Sequence, residues 1–120
     1  MTLDNYNAFC AGLPASSHAV QWGGAHVCKV GGKVFAIAGW NKSEVLGITF
    51  KVTDIGFEML RERPGLRPAP YLGSRGMLWI QHFALPGLDD DDLRDYISDS
   101  HRIVAGALSK KRQRELGLIR

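Results

Sequence analysis

The chain has 120 residues, of which 45% are hydrophobic and 22% charged, with a formal net charge of +3. This describes one ordinary globular domain over residues 1–120 and excludes global disorder. No run of about 18 apolar residues occurs, so no membrane span is expected, and the early Asp4, Asn5 and Asn7 do not read as a secretory signal, so the expected location is the cytoplasm.

The first element is a helix over Thr2–Leu13, capped by Thr2, with Leu3, Tyr6, Phe9, Cys10 and Leu13 at 3–4 spacing. Gly12 and Pro14 end it. Ala15–Trp22 reads as a strand, and Gly23-Gly24 turns the chain into the next one. His26–Val30 and Lys33–Trp40 form a hairpin about Gly31-Gly32, because a two-residue turn needs positive φ and glycine adopts it without steric cost. Strict alternation puts His26, Cys28, Val30, Lys33, Phe35 and Ile37 on one face, and Val27, Lys29, Val34, Ala36 and Ala38 on the other. The stem is apolar on both faces, so either both are expected to be covered or one is expected to be partly covered by a partner.

Asn41–Glu44 is a polar turn. Leu46–Val52 alternates, with Leu46, Ile48, Phe50 and Val52 facing inward and Lys51 outward. Asp54 is expected to cap a helix to Glu62 or Arg63, with Ile55, Phe57 and Leu60 on its buried side. Residues 64–76 form a loop rich in Pro and Gly. Met77–Leu85 is a strand. A last helix starts at Asp89, with Asp90–Asp92 in its first turn, where the macrodipole favours acids. Leu93, Tyr96, Ile97, Ser100, Ile103, Val104, Ala107 and Leu108 form its apolar stripe, and Lys110, Lys111, Arg112 and Arg114 are expected at its C-terminal end. These elements assemble as an α+β fold, a mostly antiparallel sheet with helices on one face.

Charge is unevenly placed. Residues 29–75 carry eight basic and four acidic side chains, residues 89–99 carry six Asp against Arg94, and the 110–120 tail carries five basic and one acidic. A basic middle and tail fit a polyanion partner.

Several motifs resemble the MmcQ/YjbR family. They are Lys29-Val30-Gly31-Gly32-Lys33-Val34-Phe35-Ala36, Phe50-Lys51-Val52 before the Asp54 helix and Pro64-Gly65, Pro70-Tyr71-Leu72 with Trp79-Ile80 following, and the Asp-rich last helix with Ser100, Val104 and Leu108-Ser109-Lys110-Lys111. The resemblance implies an α-β-β-β-α-β-β-α layout similar to type III secretion chaperones, and DNA binding through a double wing of projecting loops. It also implies a second late strand, placed here at Ala69–Leu72 and paired with Met77–Phe83 across Gly73–Gly76. The family often has Tyr after the mid-helix serine; this chain has His101.

The candidate nucleic-acid-binding residues are Lys29 and Lys33 at the hairpin tip, Lys51 on its strand, and Arg67 and Arg75 in or beside the second wing. Basic, glycine-tipped hairpins suit phosphate contact without base readout, and the expected partner is double-stranded DNA. Ordinary solvated lysines would look the same in sequence. The alternative is a protein-interaction module or homodimer, resting on the two-sided apolar stem. No catalytic constellation, metal site or cofactor motif is apparent, so the domain is expected not to be an enzyme. Asp89–Asp92 lacks the spaced ligands of a calcium loop. His18, His26, His82 and His101 lack zinc spacing. Cys10 and Cys28 read as small buried hydrophobes, and a disulfide between them is allowed but not implied. Trp40, Trp79 and Tyr71 are candidates for stacking on a base, with packing the favoured reading for Trp40 and Trp79 and Tyr71 open between the two.

Overall fold

The sheet is built outward from one hairpin. In a computed structural model, which describes residues 1–72 and 76–120, β2 (Ala25–Val30) and β3 (Lys33–Ala38) are joined by Gly31 at φ 59° and Gly32 at φ 81°, the paired positive φ of a type I′ turn. β1 (Ser16–Gln21) adds to β2 and β4 (Ile48–Lys51) adds to β3. β6 (Trp79–His82) pairs with β4, and β5 (Leu66–Pro68) pairs with β6 at the far edge. All five pairings are antiparallel, and the order is β1-β2-β3-β4-β6-β5. The α+β class, with helices on one face, is as the sequence implied.

A β-bulge corrects the expected faces of the hairpin. Lys29 pairs with Val34, but Cys28 pairs with Ala36 and Val27 with Ile37. Phe35 is therefore an extra residue, and beyond it every β3 side chain has changed face. Cys28, Ala36, Ala38, Ile48, Phe50 and Ile80 face the main core beneath the helices, while Val27 and Ile37 face the other side.

Three helices cover the core face. α1 (Leu3–Ala11) is capped by Thr2, whose hydroxyl accepts from Asn5 N, and it buries Tyr6 and Cys10. Cys10 and Cys28 are free thiols, each 1% exposed; a hydrogen bond with Cys28, together with burial, pushes the Cys10 thiol up. α2 (Asp54–Leu60) is capped by Thr53, not Asp54. With only seven residues it buries one narrow stripe, Phe57 and Leu60, and Ile55 turns outward at 74% exposure. α3 (Asp90–Gly106) begins at the Asp89 cap as expected and packs on β3 and β4.

The last helix is two helices. Ser109 accepts from Arg112 N at 3.1 Å and starts α4 (Lys110–Glu115). Lys110–Arg112 thus occupy a helix's first turn, where the dipole opposes cations, rather than the C-terminal end expected. The second late strand is also displaced from its expected place. It lies at Leu66–Pro68, and the ladder runs on only through Ala69 N, which donates to Trp79 O at 3.0 Å.

Two α3 side chains fasten the sheet. The Ser100 hydroxyl donates to the carbonyl of the bulged Phe35 at 2.6 Å and accepts from Lys51 N at 2.8 Å. His101 is buried, bonds Pro14 O through Nε2 at 2.7 Å, and lies edge-on to Phe35. The serine in the apolar stripe is therefore a polar bridge, and His101 joins α3 to the α1–β1 corner.

Candidate nucleic-acid interface

The open face of the sheet is not a bare surface. Thr49 and Gln81 are fully buried there, under cover from this chain itself: Trp40, Leu72 and Val34 pack over Ala25, Val27 and Ile37. The apolar stem is thus covered on both sides.

Lys33 and Lys51, eighteen positions apart in sequence, line one groove of about 310 Å³. Its other walls include Trp79 and the end of α3, at Val104, Ala107 and Leu108. Lys51 pairs with Trp79 across β4 and β6, and its backbone N–H is held by Ser100. Lys29 lies beside Val34 on the same sheet face, half-buried. The hairpin tip does not stand free, because Gly31 packs against Leu108 and Leu116. Arg67 is set apart from the lysines: its Nε donates to Gln81 Oε1 at 2.9 Å and its guanidinium stacks over Phe83 at 4.4 Å. Arg75 lies outside the described residues.

The electrostatics favour this end of the molecule. The acidic cluster Asp89–Asp92 starts α3, whereas the groove meets the last turns of the same helix. Those 17 residues span about 25 Å, roughly three Debye lengths at physiological salt. The Asp cluster therefore does little to neutralise Lys33 and Lys51.

The lysine groove adjoins an aromatic cleft of about 380 Å³, and the two share Val34, Met77 and Trp79. Ile37 and Trp79 contribute from strands, and Trp22 and Tyr71, on turns, and Trp40, on the segment after β3, stand around them. These three aromatics form a chain of contacts, with ring centroids 5.8 Å apart for Trp22–Trp40 and 5.6 Å for Trp40–Tyr71. Trp22 is 52% exposed and Tyr71 69% exposed. Their backbones lie at φ 53°, 57° and 68° for Trp22, Trp40 and Tyr71, a left-handed region that bulky side chains rarely occupy. Gln81 Nε2 helps hold the middle one, donating to Gly39 O at 3.2 Å and to Trp40 O at 3.1 Å.

Trp40 and Tyr71 were legible as candidates; Trp22, at the end of β1 before Gly23-Gly24, was not singled out. Its signal would have been an aromatic placed directly against a glycine turn. The histidine spacing also hid a pair: His18 Nε2 and His26 Nδ1 lie 2.9 Å apart across β1 and β2. Among the described residues no three His, Cys, Asp or Glu side chains converge on a metal position, and no helix is long and apolar enough to cross a membrane.

Comparison with known proteins agrees with these elements. No curated protein matches the chain. Among solved structures, Deinococcus radiodurans protein DR2400, with a domain designated DUF419, superposes with a TM-score of 0.84 at 22% identity. The match covers 97% of this chain and 88% of that one, and it establishes a shared fold. The YjbR family model matches residues 11–103, from the end of α1 through most of α3. With the glycine hairpin, the Lys51 strand and Ser100 itself inside that span, the chain belongs to the YjbR family.

Proposed function

We propose that this domain binds DNA through its phosphates and catalyses no reaction on it. The contacts come from Lys33 and Lys51 in the groove, with Lys29 next to Val34 on the open face. The observation that carries this reading is the convergence of Lys33 and Lys51 on one groove at the end of the molecule remote from Asp89–Asp92. Arg67, committed to Gln81 and Phe83, serves the sheet first.

Phosphate contacts position a protein on DNA without reading bases, so binding is weakly specific and falls with salt. Three contacts give a slope of log K against log salt of roughly −2 to −3. Fluorescence anisotropy with labelled DNA across a salt series measures it. Lys33→Glu combined with Lys51→Glu weakens binding more than Arg112→Glu combined with Arg114→Glu. The opposite ranking would move the site to α4, and absence of binding at low salt would refute the reading.

A further inference from the structure

We infer that the aromatic cleft receives an unpaired DNA base, so that the partner is single-stranded DNA whose phosphates lie on Lys33 and Lys51. This rests on the phosphate-binding reading above and specifies its ligand.

Three observations lead there. The cleft and the lysine groove adjoin, with Val34, Met77 and Trp79 lining both. One strand can therefore present an apolar planar group and an anion to the two parts at once. Phosphates alternate with bases along a nucleic acid in just this way, and sequence-tolerant single-strand sites combine a cationic track with aromatic faces. Second, the cleft is made of rings and aliphatic side chains, and among the described residues none of its lining carries a charge. It can stack a base of any identity, and the choice of DNA over RNA is carried over from the phosphate-binding reading. A paired base, shut within its stack, cannot reach the rings.

Third, the cleft aromatics are held where folding alone would not put them. Of the four non-glycine residues at positive φ among the described residues, three are Trp22, Trp40 and Tyr71. Trp22 and Tyr71 are more than half exposed, so little burial offsets a backbone conformation that disfavours large side chains. Strained, exposed aromatics around one cavity mark a binding clamp rather than a core.

The test compares three labelled ligands by anisotropy at low salt: a short oligothymidylate, an abasic strand of equal length and charge, and the corresponding duplex. Stacking predicts that oligothymidylate binds roughly 5- to 100-fold tighter than the abasic strand, and tighter than the duplex. Tyr71→Gly or Trp22→Gly removes most of that advantage while the thermal midpoint holds or rises, because glycine relieves the positive φ. A role in folding alone predicts the reverse, a lower midpoint with binding unchanged. If the abasic strand binds as tightly as oligothymidylate, while Lys33→Glu with Lys51→Glu still weakens both, the stacking inference falls and the phosphate reading stands. If no ligand binds, both fall. An oligouridylate that competes better than oligothymidylate overturns the assignment to DNA.

Discussion

Replacing Ser100 with alanine probes the joint that fixes both the hairpin bulge and the strand bearing Lys51. The Ser100 side chain is fully buried, and its hydroxyl serves two backbone groups from two strands, Phe35 O at 2.6 Å and Lys51 N at 2.8 Å. The bulge explains the first bond, since Phe35 is the residue displaced from the β2–β3 register. Ser100→Ala leaves a carbonyl and an N–H without this partner, and an unsatisfied buried group costs about 1–3 kcal/mol. The loss is about 3 kcal/mol in all, allowing for partial relaxation of either group toward other partners. With a urea slope of about 1.5 kcal/mol per molar, the unfolding midpoint falls by about 2 M. Ser17→Ala, on the exposed side of β1, is the control and stays within about 0.5 kcal/mol. Equilibrium urea denaturation followed by circular dichroism reads both. A loss below about 0.5 kcal/mol in Ser100→Ala would show that the two backbone groups do not depend on the serine.

Two further expectations concern other parts of the fold. His82 is 4% exposed and neither ring nitrogen has a hydrogen-bond partner; burial lowers its pKa. The unfolded imidazole, near pH 6.5, then takes up protons before the folded one does. Its contribution is complete above about pH 6.5 and is lost as the pH falls toward the lower folded value, each tenfold weakening of proton affinity costing about 1.4 kcal/mol. Between pH 7 and pH 5 the wild type should lose more stability than His82→Leu, and equal losses would contradict the argument. Gly65 is at φ 89°, and a Cβ there would press on the Ala84 carbonyl and lie 2.6 Å from Gly87 N. Gly65→Ala should cost about 2–4 kcal/mol, against about 1 kcal/mol for Gly24→Ala, where φ is 91° but the space is open. Equal costs would remove the steric argument.

Much of the scaffold could be read from local patterns. Gly31-Gly32 between two apolar runs fixes the central turn, and the stripe from Leu93 to Val104 marks α3. The register of β3 could not be read. Val34-Phe35-Ala36-Ile37-Ala38 is apolar on both faces, so alternation carries no information about an inserted residue. The bulge at Phe35 is stabilised by Ser100, 65 positions away. β5 was displaced because Pro68 and Pro70 obscured a three-residue edge strand. The break before α4 was hidden because Ser109 resembles any other polar helix residue until its capping bond to Arg112 is seen.

The candidate site divides in the same way. Lys33 was suggested by the hairpin tip and Lys51 by the outward side of its strand, but their shared groove depends on how β3, β4 and α3 come together. The cleft draws Trp22, Trp40 and Tyr71 from three separate connecting segments, and only tertiary packing brings them into contact. Arg67 looked like a free cation in a loop. Its place on β5, opposite Gln81, gives it a structural partner instead.

Titrating the isotopically labelled protein with a short oligothymidylate, and following amide and indole N–H resonances, tests the central claim most directly. Binding along the groove and the cleft should shift Lys33, Val34, Ile37 and Lys51 together with the indoles of Trp22 and Trp40, while α1 and the Asp-rich start of α3 stay still. Shifts confined to α4 or to the helical face, with the indoles unmoved, would contradict it.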